Sequence, residues 1–131
     1  MACFKNGLQQ EEAWKLYGHP IMQSLLIMLD CVCQIFTGRE LTVTSTFRKK
    51  GKKPSYHPKW QAFDIRVWDM PKIMIRVLVD IVRFMNFLVT KLKLKFEGRF
   101  DVVHETERKD KDGKIIKGEH LHIEYDTGNP E

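Results

Sequence analysis

An α+β domain, with helices packed on one face of a small and mostly antiparallel sheet, is the fold class this sequence predicts. Three observations lead there. Apolar residues recur at helical spacing in two long segments, about 20–36 and 70–90. Between and after them lie short alternating runs rich in Val, Thr and Ile, the pattern of half-buried strands. A turn signal, Lys111-Asp112-Gly113-Lys114, then predicts a hairpin between the third strand and the last, so the chain doubles back there.

The elements follow in order. Residues 9–17 read as a short helix. Pro20 suits the start of a second helix running to about Phe36, and Gly38 is its stop. Leu41 to Phe47 alternates and reads as a strand, followed by a polar, basic loop from Arg48 to Pro58. Gln61 to Val67 is a second strand. Asp69 is expected to cap the long helix that follows, with Pro71 in its first turn. In that helix Lys72, Arg76, Asp80 and Arg83 make a polar stripe. Ile73, Val77, Leu78, Ile81, Val82, Met85 and Leu88 are expected to form a broad buried face. Recurring charge favours packing on a sheet over anchorage in a bilayer. Arg99 to Glu105 is a third strand and His120 to Tyr125 the last, with Gly128-Asn129-Pro130 fraying off the end.

A chain of 131 residues fits one domain with one modest core. Residues 1–38 would supply N-terminal helices, and residues 41–126 the part that carries the motifs. A hydrophobic fraction of 43% is ordinary for a globular protein and argues against disorder for most of the chain. The formal net charge is +5, clustered at Lys49, Lys50, Lys52 and Lys53 and again at Lys91, Lys93 and Lys95. Such a surface favours polyanions, although each run alone reads as a solvated loop or a lysine-protected edge. Cys3, Cys31 and Cys33 lack Cys-x-x-Cys spacing, which argues against a disulfide framework or a thiolate zinc knuckle. On a helix Cys31 and Cys33 point in different directions and read as small buried apolar residues. The N-terminus lacks the pattern of a secretory signal, and Ile21 to Phe36 is too short and too polar for a membrane span. Synthesis in a reducing cytoplasm is expected.

The chemistry lies in two segments. One is Ser55-Tyr56-His57-Pro58-Lys59-Trp60-Gln61-Ala62-Phe63-Asp64, the other Glu119-His120-Leu121-His122. On the second strand Ala62, Asp64 and Arg66 share one face, and Phe63 and Ile65 point into the core. His120 and His122 share a face of the last strand. If those strands are neighbours, His57, Asp64 and His122 converge on one ion. Two imidazoles and a carboxylate suit zinc and leave one tetrahedral position open, the pattern of a catalytic site. Zinc so held activates water and polarises a carbonyl. A carboxylate must then carry the proton to the leaving amine. Glu119 and Glu124 compete for that role, and strand parity favours Glu124. Arg48, at the end of the first strand, suits an oxyanion or a substrate carboxylate. A lone His on a strand is ordinarily a surface or supporting residue, and His104 is read that way.

The combination resembles a known family. Ser55-x-His57-x6-Asp64, with Ala62 two before the Asp, is similar to the Ser-x-His-x-x-Gly-x-Ala-x-Asp motif of zinc peptidases with the hedgehog/DD-peptidase fold. These include D-alanyl-D-alanine carboxypeptidases and dipeptidases, and the L-alanyl-D-glutamate peptidases used as phage endolysins. Ser45-Thr46-Phe47-Arg48 resembles the family's Ser-Gly-Tyr-Arg segment, and Glu119-His120-Leu121-His122 its terminal Glu-x-x-His and His-x-His signatures. The matched blocks span about 41 to 126 in the family's order. The resemblance implies Zn2+ on His57, Asp64 and His122, and Glu119 as general base. It implies Arg48 on the tetrahedral intermediate, Ser55 against the substrate, and His120 steadying the site from outside the ligand set. Trp60 stands where the family has its glycine, which would narrow the cleft or add a stacking surface.

The expected function is therefore a zinc metallopeptidase hydrolysing peptidoglycan stem peptides. It would be a bacteriophage or prophage endolysin-type L-alanyl-D-glutamate endopeptidase or a D-Ala-D-Ala carboxypeptidase. It would be made in the cytoplasm without a signal and act as a monomer at the cell wall after release, without membrane insertion. The alternative is a non-catalytic, zinc-stabilised binding domain of the same fold. A small basic nucleic-acid-binding protein is a third possibility, but no recognition-helix, finger or RNA-binding motif supports it.

Overall fold

The computed structural model describes residues 3–4, 20–45, 62–91 and 98–126. In chain order the elements are β1 (Cys3–Phe4), α1 (Pro20–Thr37), β2 (Thr42–Ser45), β3 (Ala62–Arg66), α2 (Lys72–Lys91), β4 (Arg99–Glu105), β5 (Arg108–Lys109), β6 (Ile115–Lys117) and β7 (His120–Asp126). The protein is thus α+β. Among the described residues its main sheet has five strands in the order β1-β2-β3-β7-β4, antiparallel except for the β1–β2 pair. Strands β5 and β6 form a separate two-stranded ribbon. The short strand β1 was not foreseen, and the helix expected over 9–17 lies outside the described residues.

Helix α1 exists because Met22, Leu25, Leu26, Leu29 and Cys33 recur on one stripe, and all are buried. Gly38 ends it with φ +72°, its N–H donating to the Gln34 carbonyl at 2.8 Å. Buried Asp30 ties the helix to the sheet: Oδ1 accepts from Leu41 N at 2.9 Å and Oδ2 from Gln34 Nε2 at 2.8 Å. Cys33 is buried as expected, but Cys31 is exposed. Residues two apart on a helix differ by about 200° in direction, so only one of the pair can face the core.

Helix α2 buries Met74, Ile75, Leu78 and Val82, which join Phe63, Ile65, Leu121 and Ile123 of the sheet in one core. Ile73 is 67% exposed, against expectation. The buried stripe centres on Leu78, and Ile73 lies about 140° around the helix from it. Val77, Ile81 and Met85 pack partly buried at the stripe's edges. Asp69 does not cap this helix. Its Oδ2 is 3.0 Å from Arg66 Nη2 and 3.7 Å from Arg39 Nη1. The first turn instead forms on the Pro71 carbonyl, which accepts from Met74 N at 2.9 Å and Ile75 N at 3.2 Å. Asn86 fastens α2 to β4, its amide donating to the Phe100 carbonyl while Oδ1 accepts from Phe100 N at 2.8 Å.

The Lys111–Lys114 turn closes the β5–β6 ribbon and does not join β4 to β7 directly. Asp110 organises it: Oδ1 accepts from Asp112 N and Lys114 N, both at 2.9 Å, and Gly113 takes φ +79°. The ribbon is an excursion between two strands that still pair antiparallel through seven registered positions, from Arg99↔Asp126 to Glu105↔His120. No helix among the described residues is long and apolar enough to cross a membrane.

Candidate functional site

Strands β3 and β7 are neighbours, and their register places Asp64 opposite His122. Helices cover the Phe63–Ile65 face of β3, so Asp64 and His122 meet on the other face. A register irregularity in β2 sets Ser45 opposite Asp64, and Val103 of β4 stands opposite His122. Ser45, Asp64, His122 and Val103 thus form one row across four strands.

The contact is direct. His122 Nδ1 lies 2.8 Å from Asp64 Oδ1, and His122 Nε2 lies 3.4 Å from Glu124 Oε2. Asp64 has no exposed surface. It does lie on the face away from the helices, as expected, but it is closed off from solvent. Burial disfavours a charged His122. The hydrogen bonds to Asp64 and Glu124, and the charge of both carboxylates, outweigh it and raise the pKa from 6.5 to about 9. At neutral pH the ring therefore carries a proton on each nitrogen and donates to both carboxylates.

Asp64 and His122 are two residues of the kind that could hold a metal. Two donors of a tetrahedral zinc, each about 2.0–2.1 Å from the ion, stand about 3.3 Å apart. Asp64 Oδ1 and His122 Nδ1 are 2.8 Å apart, so a shift of about half an ångström admits an ion once the Nδ1 proton leaves. Glu124 on the far nitrogen then supplies the carboxylate that commonly orients a ligating imidazole. No group of three potential ligands occurs among the described residues. The expected third ligand, His57, lies outside them, as do Arg48, Ser55 and Trp60.

Glu119 and His120 sit where β7 begins. The Glu119 carbonyl accepts from Val67 N at 3.2 Å, which extends the β3–β7 ladder past the strand end. Its carboxylate is 2.8 Å from His104 Nε2, while Glu124 is the carboxylate beside His122. His104 is a surface residue, 39% exposed. His120 is buried; its Nδ1 donates to the Gly118 carbonyl at 2.9 Å and its Nε2 lies 2.7 Å from Glu105 Oε2. Those contacts fix the start of β7 and so the position of His122 two residues on.

A cleft of about 330 Å³ opens at this end of the sheet, lined by Ser45, Arg66, Trp68, Ile116, Glu119 and His120 among others. Arg66 and Trp68 were not singled out from the sequence as site residues. The signal was present in the alternation Asp64, Arg66, Trp68, which carries one face of β3 into the following turn. No family model matches the sequence, and no curated protein or solved structure matches it either.

Proposed function

We propose that this chain is a zinc-dependent peptidase that hydrolyses the peptide stems of peptidoglycan, on a domain of the hedgehog/DD-peptidase type. The observation that carries the reading is the Asp64–His122 contact. Two residues 58 apart in sequence, each in a motif that resembles half of a zinc site, meet at 2.8 Å. His57, seven before Asp64, completes the ligand set in this reading. Zinc held there would supply the Lewis acidity that activates water and polarises a peptide carbonyl.

The remaining work falls to the chain's own groups. Asp64 and His122 hold position because both belong to paired central strands. Glu124 orients the His122 ring, which leaves Glu119, at the mouth of the cleft, to take the proton and pass it to the leaving amine. To do so Glu119 exchanges its His104 partner for water. Arg48, three residues after Ser45 and so close in sequence to the Asp64 row, stabilises the oxyanion. Ser55 contacts the substrate, and His120 braces the start of β7.

The test is digestion of purified cell walls with and without chelator, for wild type and His57→Ala. Cleavage abolished by both treatments is expected; clearing that survives both overturns the mechanism. A product map separates the two peptidase types, since loss of one terminal alanine marks a carboxypeptidase and an internal cut an endopeptidase. Tight zinc binding without cleavage would establish the non-catalytic domain instead, a reading that the Glu119–His104 pairing favours.

A further inference from the structure

We propose that the cleft at the end of β3 is a carboxylate-binding subsite, in which Arg66 holds a carboxylate of the peptide substrate and Trp68 forms the wall beside it. The proposal rests on the peptidase reading above and names how the substrate would be held.

Arg66 lies two residues beyond Asp64 on the same face of β3, which places it about 7 Å along the strand. An extended peptide covers that distance in about two residues. A group bound at Arg66 therefore sits within two residues of a bond cleaved beside Asp64 and His122. The guanidinium is fixed on two sides. Its Nη2 lies 3.0 Å from Asp69 Oδ2, and its plane lies over the Trp68 ring at 5.0 Å. Asp69 is shared with Arg39 at 3.7 Å, so it is not Arg66's alone. Arg66 Nε is itself buried and has no hydrogen-bond partner among the described residues. The Arg66 side chain as a whole is 36% exposed, and a carboxylate is the acceptor that a guanidinium fork fits best.

The walls suit an extended peptide. Trp68 is 59% exposed, and Ile116 of the ribbon, on the cleft's rim, is 67% exposed. Gly118 gives Trp68 its room: a Cβ there would come 3.3 Å from Trp68 Cδ1. The cleft's own carboxylate, Glu119, lies 2.8 Å from His104 Nε2.

The experiment uses two pairs of synthetic peptides on the full chain. One pair is L-Ala-γ-D-Glu-L-Lys with its glutamate α-carboxylate free or amidated; the other is diacetyl-L-Lys-D-Ala-D-Ala with its terminal carboxylate free or amidated. Binding is read by tryptophan fluorescence, and cleavage by KM and kcat. Wild type is expected to prefer the free acid of one pair by roughly tenfold, and Arg66→Gln to lose that preference with zinc content unchanged. The fluorescence response should fall in Trp68→Phe, by the share that Trp68 supplies. Which pair discriminates identifies the source of the carboxylate. Equal binding of acid and amide in both pairs, or a preference retained by Arg66→Gln, overturns the proposal. Should Arg66→Gln fail to fold, Arg66→Lys, which keeps the charge but not the fork, is expected to lose most of the preference; full retention overturns it too. Acid-selective binding without cleavage would uphold the subsite while refuting the peptidase reading.

Discussion

Asp64 shows how much one residue can be asked to do. It has no exposed surface, and a carboxylate in that position is tolerable only with a partner that returns what water would have given. His122 is that partner at 2.8 Å, and its pKa of about 9 is the other side of the same interaction. Asp64→Asn keeps the volume and one acceptor but removes the charge that holds the imidazolium. Stability of the metal-free protein should fall by about 1–3 kcal/mol, read by urea denaturation. Zinc binding, measured by calorimetry, should weaken by at least about tenfold. An unchanged affinity would remove Asp64 from the ligand set. Glu124→Gln should weaken zinc by less, because it acts on His122 only through the far ring nitrogen.

The elements were legible wherever periodicity and breakers agreed. α1, β3, α2, β4 and β7 fall within a few residues of expectation because apolar spacing, Gly38 and Pro71 point the same way. Features that depend on a partner strand or a competing charge were not legible. Asp69 has the composition of a cap, but two guanidiniums outbid the helix for its carboxylate. The turn at Gly113 was found, but not that it closes a ribbon set apart from the main sheet. The adjacency of β3 and β7, on which the site depends, is a long-range pairing that no local pattern encodes. Two predictions belong at this scale. Asn86→Ala breaks both bonds between α2 and Phe100 and should cost about 1–3 kcal/mol, with faster amide exchange at the start of β4. On β4, Asp101 stands opposite Glu124 with Asp126 close by. Burial raises its pKa from 3.8, Arg99 opposes, and Asp126 and Glu124 add to the rise. The folded state therefore holds this proton more tightly than the unfolded chain. That contribution is complete below 3.8 and is lost as pH rises through the folded pKa. Asp101→Asn should accordingly raise Tm at neutral pH, and the gain should disappear below pH 3.8.

At the scale of the whole molecule the two faces of the sheet divide the labour. One face takes the two described helices and nearly all the buried apolar side chains among the described residues. The other face carries Asp64, His122, Glu124 and Asp101, and the chain that leaves β2 and returns as β3 contains Arg48, Ser55 and His57. A metal bound between these parts would join a preformed half-site on two central strands to a ligand from the connection between β2 and β3. The effects of mutation should then separate cleanly. His57 lies outside the described strands and core, and on this reading its role is to hold the metal, so the metal-free His57→Ala protein should unfold at the wild-type temperature. Wild type should gain about 4 kcal/mol when free zinc exceeds its Kd a thousandfold. For a chain of this size that is a rise in Tm of roughly 10 °C or more. His57→Ala should show little of that rise, and Asp64→Asn should lose it while also starting from a lower metal-free Tm. Calorimetric scans of the three proteins with zinc and with chelator are sufficient to test this. If His57→Ala gains as much from zinc as wild type does, the ion is held by the strands alone, and a three-ligand open site, with the peptidase chemistry built on it, fails.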